Sequence, residues 1–545
     1  MTQHTIYQAK HIHTMNSATP AATHVAVREG RILAVGSEEE VRSWGDAPVD
    51  MRFADKVLLP GFVEGHAHLM AGGIWSYTYV GYHDRMDPQG QPWPALTDIS
   101  GVLERLREIG SRLPPEAPLV AWGFDPIFLP SKRLDRTDLD SVSETRPIAV
   151  MHSNFHLMTV NSAALKLVGY SRDTDVQGVH KQADGHPSGE LQEMAAMFPV
   201  MRRLGINFRE LGSAAEGIRD YASVARRCGV TTATDLFSSL EEEEVERLLD
   251  LTGSADYSLR VVPALNALGG TPEEIAQKAQ ALRLKSTEML RLGLVKVMTD
   301  GSIQGFTARV QWPHYYKGPN HGIWNLPPES LYALTEHLNR EGIQMHLHVN
   351  GSEASKVTIA ALREALRKTP FPDHRHTLQH CQMADQAQFR SMAALGLCAN
   401  LFANHIYYFG DQHRDITIGP ERAARMDACR TALDEGVPLA IHSDAPVTPM
   451  GPLFTAWCAV HRLTGSGKVL GPNERISVPE ALKAITIGAA YTLHLDHEIG
   501  SIESGKRADF AVLEEDPFTV PSETLKDVPV WGVVSGGRVF PAAPE

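Results

Sequence analysis

The sequence predicts an α/β fold: a (β/α)8 barrel of parallel strands, accompanied by a β-rich unit to which both chain ends contribute. Three observations carry this expectation. Short apolar runs ending in Gly, Asp or His alternate with longer helical stretches through the middle of the chain, and such alternation over several cycles makes a parallel sheet. The number of cycles favours closure into eight strands over an open sheet. The two ends read instead as short strands joined by tight turns.

In chain order, the opening strands are Thr5 to His11, His24 to Val27, Ile32 to Val35 and Val57 to Leu59, with a turn at Arg28-Glu29-Gly30-Arg31. The closing segment repeats this style in Ile499 to Ile502, Gly505 to Leu513, Val530 to Val534 and Arg538 to Phe540. Neither end holds enough strands for a sandwich of its own, so the two are expected to share one sheet system. Between them, strands are expected at Ile148 to His152, Gly229 to Asp235, Leu259 to Pro263, Leu294 to Asp300, Ile343 to His348, His376 to His380, Cys398 to Phe402 and Leu439 to Asp444. Helical patterns fill gaps such as Pro272 to Arg283, Pro328 to Arg340 and Glu353 to Lys368. The span from His66 to Asp444 exceeds the roughly 250 residues of an average barrel. An insertion is therefore placed at about 70–213, a stretch with Pro, Gly and Asp clusters and the tryptophans Trp75, Trp93 and Trp122.

Lys and Arg total 51 against 65 Asp and Glu, a net charge of −14, which argues against a nucleic-acid partner. The five cysteines are widely spaced and odd in number, unlike a disulfide framework, and fit a reducing compartment. Met1 to Ala9 lacks the apolar core of a signal peptide, and no run of about 18 apolar residues occurs. A soluble, cytoplasmic protein with no membrane partner is expected.

The informative excess is histidine, at 25 copies. In Pro60-Gly61-Phe62-Val63-Glu64-Gly65-His66-Ala67-His68, residues two apart on a strand point the same way, so His66 and His68 can present two imidazoles to one metal ion. An isolated pair of this kind reads more simply as a polar solvent face. Here three further strand ends carry matching groups: His346-Leu347-His348, Gln379-His380 and Ser443-Asp444. Barrel active sites gather at the C-terminal strand ends, and histidines with a carboxylate leave room for a catalytic metal-bound water. Lys296, inside an apolar strand run, would by itself read as an exposed residue. In a barrel mouth its ammonium would repel the cations, so it must be neutral or converted by carbon dioxide into a bridging carbamate.

These residues resemble the amidohydrolase superfamily and, within it, the YtcJ-like metal-dependent hydrolases. The motifs are Pro60 to His68, Phe155-His156 to Asn161-Ser162, Gly229 to Thr232, Asp300 to Ala308, His348 to Gly351, His380 to Gln382, Ser443 to Val447 and Ser501 to Phe510. The resemblance implies a distorted (β/α)8 TIM barrel over 59–490, with the insertion covering the active site, and a β-sandwich from 1–58 and 491–545. It also implies His66 and His68 on a first metal, a carboxylated Lys296 bridging, His348 and His380 on a second, and Asp444 at the last barrel strand. Zinc is the default, in two copies, with manganese or iron as alternatives. His346 ranks below His348, which alone fits the H-x-x-G pattern. Departures from the pattern are Gln304-Gly305-Phe306 in place of Gly-Ser-Arg, Ser352 for Asp, Gln379 for Glu and His442 for Gly.

The expected reaction is cleavage of an amide or formamide-like C–N bond in a small molecule by a metal-activated hydroxide, with Asp444 as acid and base. His156 reads either as a donor to the substrate carbonyl or as an ordinary loop histidine. Asp235 and Asp300 read as supporting or turn-forming groups. Trp75, Trp122, Phe124, Phe155, Phe306, Trp324, Phe402 and Tyr407 are candidate walls for an apolar or aromatic substrate group, or core residues. Alternatives on the same centre are opening of a cyclic amide, deamination, or a silent binding or regulatory protein. A homodimer is compatible with all of these.

Overall fold

The computed structural model describes residues 4–129, 132–319 and 321–542. Eight parallel strands follow one another in chain order around one sheet: β1 (Phe62–Glu64), β2 (Val230–Ser238), β3 (Arg260–Asn266), β4 (Leu294–Met298), β5 (Met345–Val349), β6 (Thr377–His380), β7 (Cys398–Leu401) and β8 (Leu439–Ile441). They are short and almost wholly buried, as strands covered by helices must be. The helices between them are set by local signals. Thr271 and Glu274 form a capping box ahead of Pro272–Arg283, and Asp385 with Gln388 does the same for Gln386–Leu395. Leu331, Leu334 and Leu338 form the buried stripe of Pro328–Arg340.

The curled sheet has a seam, because β8 and β1 share no ladder. Just beyond the strand ends, the Asp444 N–H donates to the His66 carbonyl at 3.0 Å and the His68 N–H to Ala445 at 2.9 Å. The buried Glu64 carboxylate adds a strap, accepting from the Ser443 hydroxyl at 2.7 Å and the Ser443 N–H at 3.2 Å. Burial pushes the Glu64 carboxyl up to about 7, with the Ser443 bonds pulling the other way.

Both chain ends do enter one sheet. Its seven strands are Arg31–Gly36, Ala21–Arg28, Thr5–His13, Val49–Pro60, Phe510–Leu513, Val530–Ser535 and Arg538–Pro541, in that spatial order. Where a sandwich of two sheets is expected, the described residues give this single sheet, curled. Its outer strand turns back so that the Ile32 N–H reaches the Lys506 carbonyl and the Ala508 N–H reaches Gly30. Tyr7, Ile12, Val25, Phe53, Phe510 and Val534 pack together into one core.

Between β1 and β2 lies a six-stranded sheet, ordered Val179–Lys181, Pro187–Gln192, Leu157–Val160, Ile148–His152, Leu119–Phe124 and Thr78–Tyr79. Ile148–His152, read from the sequence with the other strands of the alternation, belongs here and not to the barrel, pairing with Leu119–Phe124 and Leu157–Val160. The loop that leaves it carries Asn154, Phe155 and His156, and Phe155 adopts φ 57°. No helix among the described residues is long and apolar enough to cross a membrane, and all five cysteines are free.

The barrel and terminal sheet are joined by a buried ion pair, Arg260 on β3 to Asp509 at 2.8 Å, with side chains 1% and 3% exposed. Arg260→Met leaves the Asp509 carboxylate buried without a cation and should cost about 3–5 kcal/mol. Chemical unfolding should show this loss, with part of it recovered in the Arg260→Met/Asp509→Leu double variant. An unchanged unfolding midpoint in the single variant would show the pair to be dispensable.

Candidate metal centre

The strand register decides which side chains meet. Lys296 on β4 lies opposite His346 on β5, and His348 lies opposite Gln379 on β6, which in turn faces Asn400 on β7. In-register neighbours on a sheet share a face, so these residues line up at the barrel mouth. His380 follows Gln379 and would by alternation point the other way. The chain leaves β6 through left-handed conformations at His380 (φ 68°) and Cys381 (φ 48°), and His380 Nε2 comes within 3.1 Å of His348 Nδ1. Asp444 has φ 53°. Such backbones are held only where their surroundings over-determine them.

Asp444 Oδ1 lies 3.1 Å from His68 Nε2 and 3.4 Å from His66 Nε2. Candidate ligand atoms of His66, His68 and Asp444, and likewise those of His66, His380 and His442, fall within 4.8 Å of one another. His348 reaches this group through His380. Burial drives the His66, His348, His380 and His442 imidazoles well below their ordinary range, with the nearby Lys296 lowering them further. Neutral imidazoles are what a metal requires. Lys296 is 1% exposed, and its Nζ has no hydrogen-bond partner among the described residues. Burial lowers its ammonium to about 7, and Asp444 only partly offsets this. Neutral imidazoles, a carboxylate and an orphaned amine around one point suit a divalent cation.

Above the mouth, His156 Nδ1 bonds to Glu193 Oε2 at 2.9 Å, and the Glu193 N–H donates to the His156 carbonyl at 2.7 Å. Burial works to lower the His156 pKa, but the Glu193 charge and hydrogen bond outweigh it, with Asp444 and Asp300 adding, and the net shift is upward. Glu193 opens helix Glu193–Leu204 with φ 59°. A Cβ at Gly301 would sit 2.4 Å from Glu193 Oε1, so glycine there lets the carboxylate in. Asp300 lies behind His348, 3.7 Å from its Nε2, and its oxygens accept backbone N–H groups of Arg309, Asn350 and Gly351 and tie two loops together. Asp235 accepts from Leu69 N at 3.2 Å and lies 3.9 Å from His68 Nδ1.

The centre floors a cavity of about 470 Å³, a normal size for a small-molecule site. His66, His68, Lys296, His348, His380, Asp444 and His156 all line it, as do Phe155 and Trp324. Six of the eight expected walls do not, and three of these show where they went instead. Trp122 is buried in the inserted sheet against Trp75 and Tyr79, at 5.1 and 5.0 Å between ring centres. Phe306 packs on Tyr315, and Phe402 lies behind the imidazoles, stacked on His442 at 5.0 Å. All three have partners of their own in the core. Trp75, Phe124 and Tyr407 also lie outside the lining.

Met194, Phe198, Met201, Phe237 and Ile323 supply much of the apolar wall, and Asn154 and Asn325 the polar rim. Sequence reasoning missed these and Glu193, whose only signal was its place beside a strand end in the insertion. Among the described lining residues Lys296 is the only Lys or Arg.

A family model described as amidohydrolase family matches residues 54–541. The N-substituted formamide deformylase of Arthrobacter pascens is 27% identical over 537 residues, covering 95% of each chain. The YtcJ protein of Bacillus subtilis (strain 168) is 26% identical over 561 residues, covering 98% of each. Among solved structures, an uncharacterized metal-dependent hydrolase from Pyrococcus horikoshii OT3 superposes with a TM-score of 0.72 at 20% identity, over 95% of this chain and 99% of that one.

Glu193 is the largest influence raising the His156 pKa, so Glu193→Gln should move the His156 titration to lower pH. At any pH between the two midpoints, the wild-type imidazole is charged and the variant neutral. Histidine NMR titration checks this, and an unmoved midpoint would remove Glu193 from the account.

Proposed function

The chain belongs to the amidohydrolase family, and from that premise we propose that it hydrolyses an amide or formamide C–N bond in a small, uncharged substrate bearing an apolar or aromatic group. One observation carries the reading. Three neutral imidazoles, a carboxylate and an unpartnered amine from both ends of a barrel's strand order converge under a mostly apolar cavity. The absence of a second Lys or Arg among the described lining residues argues against an anionic substrate. The relative named as an N-substituted formamide deformylase supports the formamide class.

His66, His68 and Asp444 would hold one divalent ion and His348 with His380 a second, zinc by default and manganese or iron otherwise. Lys296 would join them as a carbamate, formed when its neutral amine adds to carbon dioxide and loses a proton. A bound divalent ion lowers the pKa of water and polarises a carbonyl. The chain's own groups do the rest. Asp444 takes a proton from the attacking water and returns it to the departing nitrogen, one carboxylate serving both steps. Protonated His156 donates to the substrate carbonyl oxygen as negative charge develops there, while Glu193 holds its other ring nitrogen. Phe155, Trp324, Phe237 and Phe198 seat the organic group and keep water from it.

A panel of N-formyl and N-acyl amines tests the reading by product balance. Two fragments support it, whereas ammonia or a single ring-opened acid would transfer the protein to deamination or cyclic-amide opening. Asp444→Asn should lower kcat about 100- to 10,000-fold with metal content nearly retained; an active variant overturns the proton role. Because burial holds Lys296 down to about 7, its reactive neutral form is minor at pH 6 and dominant at pH 8. Reconstitution of metal-free protein with zinc and bicarbonate should therefore be faster and more complete at pH 8, and equal rates would count against the carbamate.

A further inference from the structure

We propose that His346, Gln379, Asn400 and His442 form a one-way hydrogen-bond relay, anchored on the Thr492 carbonyl, that makes both His66 and His380 present an Nε2 lone pair to the metal centre. His442 is then a positioning residue and not a ligand. The inference rests on reading His66 and His380 as metal ligands.

The direction of every link follows from its anchor. The Thr492 carbonyl can only accept, so His346 Nε2, 3.0 Å away, carries the proton. His346 is fully buried and its two ring nitrogens meet only a carbonyl and an amide, so the ring carries one proton and its Nδ1 is a lone pair. The Gln379 atom 2.7 Å from that Nδ1 must be the amide nitrogen. This orients the Gln379 oxygen, which accepts from His66 Nδ1–H at 2.7 Å and from Asn400 Nδ2 at 3.0 Å. Asn400 is oriented in turn, and its oxygen accepts His442 Nδ1–H at 3.1 Å. The neutral His442 ring is left with a lone pair at Nε2, 3.1 Å from His380 Nδ1. Two lone pairs cannot face each other at that distance, so His380 donates from Nδ1 and its Nε2 turns to the centre.

The relay is rigid at its carbonyl end and adaptable at the other. His348 Nε2 lies 3.2 Å from both the Gly301 carbonyl and the Asn350 amide nitrogen. It can therefore accept there while Nδ1–H donates to His380, or donate there while Nδ1 is freed. The Gln379 amide also fits this sequence better than glutamate would, since a carboxylate has no hydrogen for His346 Nδ1. The departures at Gln379 and His442 are two parts of one device. Groups that orient metal-bound imidazoles change metal affinity about 10- to 100-fold when removed.

Tautomers of the metal-free protein, labelled with 15N-histidine, test the relay without any substitution. His66, His380 and His442 should carry their protons on Nδ1 and His346 on Nε2; an Nε2 proton on His380 or His442 overturns the proposal. Titration with Co2+ tests the consequence. His442→Ala should weaken binding about 10- to 100-fold. His442→Gln, whose amide oxygen can still accept from His380, should recover most of that loss with wild-type ion count and absorption spectrum. Wild-type affinity in His442→Ala, or one ion fewer in His442→Gln, would overturn it. If the wild type itself binds no divalent ion, the metal-centre reading fails, and the tautomers still judge the relay on their own.

Discussion

The constraint on which the rest depends is the desolvation of Lys296. An amine held inside a barrel, with no hydrogen-bond partner among the described residues, is tolerable only when it is neutral or has become something else. That condition rules the neighbourhood. The surrounding imidazoles are uncharged because burial and the nearby amine both oppose their protonation. Asp444, on the far side of the seam, offsets the Lys296 desolvation in part. Each group makes sense only in the company of the others, which is why parallel-strand register, accurate to one residue, is the architectural feature that matters most here.

The inserted sheet supplies what the barrel lacks. Barrel strands bring candidate ligating groups to the mouth, and the layer above it comes from elsewhere in the chain. The loop between Ile148–His152 and Leu157–Val160 brings His156 over the mouth, and the helix beginning at Glu193 locks it there with one side-chain and one backbone bond. The backbone of Phe155 and Glu193 is left-handed on both sides of that contact. The centre and its lid are thus built from separate sheets, each with its own core.

Much of this was legible in the sequence. The strands of the barrel and the helices Pro272–Arg283 and Pro328–Arg340 follow from alternation and helical periodicity, and the H-x-H pair and the matching strand ends predicted where histidines and a carboxylate gather. What was not legible is three-dimensional bookkeeping of faces. Trp122, Phe306 and Phe402 are aromatic like Phe155 and Trp324, and nothing in composition tells a wall from a core. His346 and His348 share a strand face, yet His346 spends both ring nitrogens on Thr492 and Gln379. Gln379, Asn400 and His442 look like unremarkable polar residues until neighbouring strands set them side by side.

The seam between the first and last barrel strands has a further meaning during synthesis. His68 and Asp444 stand 376 positions apart, and the Glu64 strap that aligns them needs Ser443. A chain still emerging from the ribosome therefore carries an exposed histidine pair but no complete nest for an ion. A divalent ion held there would be captured late, only by a polypeptide whose last barrel strand has been made and has found its first.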